Sequence, residues 1–176
     1  MAWPVSAWRS STIIPMTEDM AEVNRIDGDL CLGQARIAIV AARFNSFIVE
    51  SLLQGALDVL RRAGIADADI TVSHVPGALE IPLTVQTFAE SGNYDAVIAL
   101  GAVIRGATSH YDIVAGDSAK ALSSLALAHS IPILNAILTT DTIEQAIERA
   151  GTKAGNKGAD AAMGALEMIS LMRKLG

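Results

Sequence analysis

The chain has 176 residues and a formal net charge of −6; 51% of its residues are hydrophobic, but only three Phe, two Tyr and two Trp are aromatic. This length suits one domain with a substantial core, and the acidic charge argues against a nucleic-acid-binding surface. The single cysteine excludes an intrachain disulfide framework and a multi-cysteine metal site, and it suits a reducing, cytoplasmic compartment. No apolar run approaches the roughly 20 residues of a membrane span.

The first 25 residues differ in character from the rest. Residues 1–16 contain Trp, Pro, Ser and one Arg but no acidic residue. This composition resembles a transit peptide, although the stretch is short and lacks a clear cleavage signature. The interpretation we favour is a disordered tail or an early start codon, with Met16 or Met20 as the other starts. We expect residues 1–25 to be a flexible segment and residues 26–176 to form one domain.

From residue 36 onward, apolar strand patterns alternate with amphipathic helix patterns. Strands are predicted at residues 36–42, 70–75, 95–100 and 132–138. Helices are predicted at residues 46–63, from after Gly77 to about residue 91, and at residues 109–130, 141–150 and about 159–174. Such alternation implies right-handed crossovers and a parallel sheet with helices on both faces. We therefore predict a three-layer α/β fold around a four-stranded parallel sheet.

Capping residues predict where several of these helices begin and end. Asn45, or the serine that follows it, can cap the first helix, and Gly64 can end it. Ser109 and Asp112 have the spacing of a capping box. Asp141 can open the short helix that follows the fourth strand.

Ligands of parallel sheets bind beyond the carboxyl ends of the strands, so we expect the chemistry after residues 42, 75, 100 and 138. After the first strand, Phe44 can be a hydrophobic staple onto the next helix or an aromatic platform for a flat heterocycle. After the second strand, Glu80 can be a favourable charge at a helix N-terminus or an acceptor for a polyol. Position alone favours the helix-terminus role for Glu80.

The third of these segments, residues 101–112 (GAVIRGATSHYD), carries the clearest chemical signal. Its small residues allow backbone N–H groups to approach an anion at a helix N-terminus. Within six residues the segment adds a cation, a hydroxyl and an imidazole, namely Arg105, Thr108 and His110. It matches neither the P-loop nor the dinucleotide-binding fingerprint. His110 is either a histidine bonded to backbone at a helix start or, as we favour, a general acid/base beside an anion site.

The segment after the fourth strand is rich in cations. Arg149, Lys153 and Lys157 fall within nine residues of an acidic chain. They can compensate a helix dipole in a solvated loop or, through the guanidinium of Arg149, clamp a phosphate. We favour the clamp.

Taken together, four segments make the chain resemble the lumazine synthase family. They are residues 42–45 (ARFN), 75–82 (VPGALEIP), 101–112 (GAVIRGATSHYD) and 143–158 (IEQAIERAGTKAGNKG). They occur in the family's order and spacing, and the resemblance extends from about residue 26 to the end. It implies a flavodoxin-like fold and riboflavin biosynthesis, by a condensation that needs no cofactor and no metal. The substrates are 5-amino-6-(D-ribitylamino)uracil and 3,4-dihydroxy-2-butanone 4-phosphate, and the products are 6,7-dimethyl-8-ribityllumazine, phosphate and water.

The resemblance also implies a role for each matching residue. His110 would carry protons, and Arg149 would reach the phosphate across a subunit interface. The pyrimidine and ribityl chain would be bound by Phe44, Ala78, Leu79, Glu80, Ala102, Val103, Ile104, Asn135 and Lys157. The phosphate would be bound by Gly106, Ala107 and Thr108 together with Arg149. Many relatives have an aromatic residue in place of Leu79 and Phe-Gly in place of Asn135-Ala136, so affinity for substrate or flavin is expected to differ.

Members of this family assemble as pentamers, decamers or hollow shells of sixty chains. The short loop at residues 151–158 resembles that of shell-forming members, so we expect a pentamer as the building block and a shell as the larger assembly. Riboflavin synthase is the expected protein partner. Two other hypotheses remain open: a flavin- or lumazine-binding or shell-forming protein with little turnover, and a flavodoxin-like nucleotide-binding module, which predicts a monomer.

Overall fold

The computed structural model describes residues 24–176. All but the last two residues of the predicted N-terminal segment, residues 1–25, lie outside this range. The strands are β1 (Ile37–Ala42), β2 (Ile70–Val75), β3 (Ala96–Ile104), β4 (Ile133–Thr140), β5 (Ala150–Thr152) and β6 (Gly155–Asn156). The helices are α1 (Ser46–Arg62), α2 (Ile81–Glu90), α3 (His110–His129), α4 (Ile143–Glu148) and α5 (Lys157–Leu175), with short 3₁₀ turns at Asp67–Asp69 and Ala78–Glu80.

The four long strands form one sheet in the order β2-β1-β3-β4, and every neighbouring pair is parallel. Alternate residues of β1 point to opposite faces, and all six are buried. Ile37, Ile39 and Ala41 belong to the core that α1 and α5 cover. The intervening residues belong to a second core beneath α2 and α3. The predicted three-layer α/β fold is therefore confirmed.

The first helix ends as the sequence predicts. Gly64 has φ +89°, a conformation that glycine adopts without the strain of a side chain. Its N–H donates to the carbonyl of Arg61 at 3.0 Å, and the N–H of Ile65 donates to that of Leu60 at 3.0 Å. This pair of bonds is a Schellman motif, which satisfies the last free carbonyls of the helix.

The third and fourth strands are longer than predicted. The prediction that the third strand ends at residue 100 is wrong, because Val97–Ile104 pair with Ile133–Thr140 in continuous register. The parallel ladder thus holds Gly101 inside the strand, where a β-carbon would lie 3.3 Å from the side chain of Ile137. The turn that the sequence suggested at Gly101 begins only after Ile104.

None of the three predicted side-chain caps forms, although Asn45 and Ser109 stand at the N-cap positions of α1 and α3. Asn45 adopts φ 56°, and its Nδ2 donates to the carbonyl of Ala102 at 2.9 Å instead of capping α1. Ser109 makes no side-chain cap, and the carboxylate of Asp112 pairs with Arg105. Asp141 also pairs with Arg105, and α4 is capped by the next residue, whose hydroxyl accepts from the N–H of Gln145.

The loop predicted at residues 151–158 contains a small antiparallel hairpin, β5–β6. Asn156 ends it and caps α5, since its Oδ1 accepts from the N–H groups of Gly158 and Ala159 at 2.9 and 3.1 Å. The last helix therefore begins at Lys157, two residues earlier than predicted. No helix within residues 24–176 is both long and apolar enough to cross a membrane.

Candidate active site

A cavity of about 400 Å³ opens at the carboxyl end of the sheet. It lies beyond the ends of β1 and β3, which are neighbours in the sheet although β2 comes between them in the chain. In doubly wound sheets such a reversal of strand order is where ligands bind. The residues that line the cavity are Ala42, Phe44, Gly77, Ala78, Leu79, Glu80, Ala102, Val103, Ile104, Gly106, Thr108, His110, Tyr111 and Val114.

Three of the four predicted site segments meet at this cavity. The predicted site residues that line it are Phe44, Ala78, Leu79, Glu80, Ala102, Val103, Ile104, Gly106, Thr108 and His110. The predicted residues that do not line it are Ala107, Asn135, Arg149 and Lys157. The segment after β4 thus contributes no wall to the cavity of its own chain.

Phe44 projects from the loop that follows β1. Its N–H donates to the carbonyl of Pro76 at 3.1 Å, which joins the loops after β1 and β2. The side chain is 70% exposed, so it does not pack onto α1 as a staple would. An exposed aromatic ring at the rim of a cavity favours the platform hypothesis.

Glu80 lies in the 3₁₀ turn that precedes α2, and it lines the cavity. A β-carbon on Gly77 would lie 3.1 Å from Oε2 of Glu80, so the glycine leaves room for this carboxylate. Within residues 24–176 the carboxylate forms no ion pair. It is therefore available to accept hydrogen bonds from a ligand.

Residues 105–109 connect β3 to α3 along one wall of the cavity. The N–H of Arg105 donates to the carbonyl of Thr140 at 2.8 Å, which anchors the start of the connection. The following residues are exposed, and Gly106 has open space where a β-carbon would be. His110 is the first residue of α3 and is also exposed. The N-terminus of a 20-residue helix, its dipole and an imidazole thus face one cavity.

Sequence reasoning missed two residues of this wall, Tyr111 and Val114. Val114 follows His110 by four residues, so both lie on the same face of α3. With His110 at a cavity, this spacing predicts that Val114 lines the cavity too. Tyr111 contacts the guanidinium of Arg105, and no local sequence pattern reveals that contact.

Arg105 does not supply the cation that the sequence suggested for an anion site. Its Nε lies 2.8 Å from Oδ1 of Asp141, and its Nη1 lies 3.1 Å from Oδ1 of Asp112. The guanidinium carbon also lies 4.0 Å from the ring centroid of Tyr111. The hydrogen bond with Asp141, followed by the charge of Asp112, raises the pKa of Arg105 above its ordinary value. The guanidinium is thus engaged by two carboxylates, and the residue does not line the cavity.

Arg149, Lys157 and Asn135 have partners within their own chain. Nη1 of Arg149 donates to the carbonyl of Gln145 at 2.9 Å, at the C-terminus of α4. Nζ of Lys157 pairs with Asp160 at 2.6 Å, and Oδ1 of Asn135 accepts from the N–H of Ile137 at 2.9 Å. The bond of Arg149 satisfies a free helix carbonyl, as the alternative to the phosphate clamp predicts.

The cavity is equipped for acid/base chemistry on an anionic ligand. Its lining residues include one imidazole, one carboxylate, two hydroxyls (Thr108 and Tyr111) and the exposed aromatic ring of Phe44. No cluster of three or more potential metal ligands is found among the described residues. The lining formed by residues 24–176 includes no Arg or Lys.

The family model described as 6,7-dimethyl-8-ribityllumazine synthase matches residues 34–173. The match includes all four strands of the parallel sheet and all three segments that meet at the cavity. It also includes the cationic segment after β4. Fold, cavity and family match agree: the chain belongs to the 6,7-dimethyl-8-ribityllumazine synthase family.

Proposed function

We propose that this chain is an active lumazine synthase, a transferase of riboflavin biosynthesis. It joins 5-amino-6-(D-ribitylamino)uracil to 3,4-dihydroxy-2-butanone 4-phosphate and releases 6,7-dimethyl-8-ribityllumazine, phosphate and water. The observation that carries the proposal is the convergence of Phe44, Glu80, the 106–108 loop and His110 on one cavity. The family match supports it, and the exposed, unpaired Cys31 is compatible with a cytoplasmic site of action.

The pyrimidine substrate binds where the loops after β1, β2 and β3 meet. The exposed ring of Phe44 stacks on the flat uracil, and Glu80 accepts hydrogen bonds from the ribityl hydroxyls. Backbone groups of Ala78 and of residues 102–104 contact the polar edge of the ring. Leu79, 42% exposed at the cavity, covers the remaining side with an aliphatic surface.

The phosphate of the second substrate binds at the start of α3. Backbone N–H groups of residues 106–108 and the hydroxyl of Thr108 donate to its oxygens, and the helix dipole favours its charge. Because no Arg or Lys among residues 24–176 lines the cavity, we propose that Arg149 comes from a neighbouring subunit. Lys157 and Asn135 contact the site from the same neighbour.

His110 moves the protons that this condensation requires. The 5-amino group attacks the ketone, and His110 helps to transfer a proton to the departing water as the imine forms. Abstraction of a carbon-bound proton then expels phosphate by β-elimination. The ribitylamino nitrogen closes the ring, and a second dehydration gives the product. Since substrate positioning supplies much of the remaining rate gain, the proposed reaction uses neither a metal nor a cofactor.

A site shared in this way requires an oligomer. We propose a pentamer with one site at each contact between neighbours, because a ring repeats a head-to-tail interface until it closes. The short hairpin β5–β6 suggests that pentamers associate further into a shell of sixty chains. The proposed partner is riboflavin synthase, which consumes the product.

The second candidate is a protein that retains flavin or lumazine, or forms shells, with little turnover. Leu79 favours it, because it lines the cavity with an aliphatic side chain where many members of the family are expected to have an aromatic one. Asn135 would alter the site only from a neighbouring subunit. The two candidates separate on the amount of product formed with both substrates in excess. A synthase makes far more lumazine than there are subunits, whereas a storage protein yields at most one bound molecule per site.

A further inference from the structure

We infer that Arg105 is a positioning residue that braces the connection from β3 to α3 and thereby preorganises the site for a phosphate group. The inference rests on the proposed function, since it takes residues 106–108 as the phosphate-binding loop. It assigns Arg105 no contact with the substrate. Asp112 and Asp141 are the partners through which the brace acts.

The geometry places Arg105 at the centre of three elements. Its backbone N–H is bonded to Thr140 at the end of β4. Its side chain pairs with Asp141, at the start of the β4–α4 turn, and with Asp112, in the first turn of α3. Tyr111 lies against the guanidinium and lines the cavity. One side chain thus links the start of the connection to the helix turn that carries His110.

Within residues 24–176, few other contacts hold the connection from β3 to α3 in place. Residues 105–110 are exposed, and Gly106 has no atom within 4 Å of a β-carbon position. A loop that is loose in the free protein must be ordered when it binds, which reduces affinity. A guanidinium that donates to two carboxylates has a fixed planar geometry, which a lysine does not reproduce. The brace therefore lowers the cost of ordering the loop around a phosphate.

The alternative role for Arg105 is that of a direct phosphate ligand. The two roles predict opposite effects when Asp141 is neutralised. Asp141→Asn removes the carboxylate at Nε of Arg105 but leaves the pair with Asp112. It also removes one negative charge near the anion, so a direct ligand would bind phosphate more tightly. A brace would be weakened, and phosphate would bind less tightly despite the more favourable net charge.

The test measures the affinity of the full-length protein for inorganic phosphate in Asp141→Asn and Arg105→Lys variants. We expect both to weaken phosphate binding about threefold to fivefold, as the loss of one partly exposed ion pair allows. KM for the phosphate substrate should rise in parallel, while KM for the pyrimidine should stay unchanged. Asp67→Asn is the matched control, because it removes a carboxylate from the 2.8 Å pair with Arg61, which lies away from the cavity.

Hydrogen exchange of the backbone amides at residues 106–111 gives a readout that needs no activity. The brace predicts faster exchange there in ligand-free Asp141→Asn than in Asp67→Asn, with the core of the sheet unchanged. Phosphate affinity that is unchanged or tighter in Asp141→Asn overturns the brace, whatever the exchange rates. If the unsubstituted protein makes no lumazine, the proposed function fails, and phosphate affinity and exchange still decide on the brace.

Discussion

The backbone N–H of Lys157 donates to the carbonyl oxygen of Arg149 over 2.9 Å. This bond closes the hairpin β5–β6, so the two cations stand at its two ends. Asn156 fixes the hairpin to α1, since its Nδ2 donates to the carbonyl of Ser51 at 2.8 Å. Both cations are thus presented by one hydrogen-bonded unit, outside the cavity of their own chain.

Arg149→Ala tests the phosphate clamp. Loss of a charged hydrogen-bond donor should raise KM for 3,4-dihydroxy-2-butanone 4-phosphate about tenfold to a hundredfold. KM for the pyrimidine should change little. Steady-state kinetics with each substrate varied in turn measures both, and Lys153→Ala, in the turn of the same hairpin, controls for the loss of one positive charge. A defect confined to the pyrimidine would contradict the clamp.

Mixed assemblies test whether the site is shared between subunits. At a concentration of the phosphate substrate well below the KM of the Arg149→Ala protein, His110→Ala and Arg149→Ala chains should each show little activity alone and recover activity when they are refolded together. A random mixture pairs an intact His110 with an intact Arg149 of the neighbour in roughly a quarter of the interfaces. Activity of the co-refolded mixture, compared with separately refolded chains mixed afterwards, gives the answer. No recovery would contradict a site shared between subunits.

His110→Ala should lower kcat far more than it changes KM. A positioned acid/base group contributes about 10²- to 10⁴-fold to a rate, and its removal leaves the stacking and phosphate contacts in place. His129→Gln is the control, because it changes the same residue type at the opposite end of α3. An unchanged kcat in His110→Ala would refute the assignment.

Gly158→Ala should destabilise the fold. A β-carbon on Gly158 would overlap the carbonyl oxygen of Leu52, so α1 and α5 would have to separate. Overpacking of this kind costs about 1–3 kcal/mol, and the change should shift the midpoint of denaturant unfolding. Gly33→Ala meets no neighbouring atom within 4 Å and should leave the midpoint nearly unchanged. Equal midpoints for both variants would show that the helices have room.

The sequence predicted the sheet and most of the cavity because these depend on local patterns. Short apolar runs predict strands such as Ile37–Ala42, whose six residues are all buried, and parallel pairing then brings the carboxyl ends of the strands together. Phe44, Glu80 and His110 were predicted to meet for that reason, and they do.

Features that depend on tertiary partners were not predicted. Ser109 and Asp141 are residue types that commonly cap helices. The sequence pattern does not reveal that Arg105 pairs with Asp112 and Asp141 instead. The extension of β3 past residue 100 depends on the length of β4, its neighbour. Tyr111 was missed because no local pattern reveals its contact with the same arginine.

The amounts of lumazine and phosphate formed in one reaction decide whether this chain is an active lumazine synthase. Purified, folded protein is mixed with both substrates, and lumazine fluorescence is followed together with free phosphate. An active synthase should form the two products at the same rate and in equal amounts. It should form neither when the pyrimidine is left out. Absence of lumazine, or release of phosphate without lumazine, would contradict the proposed function.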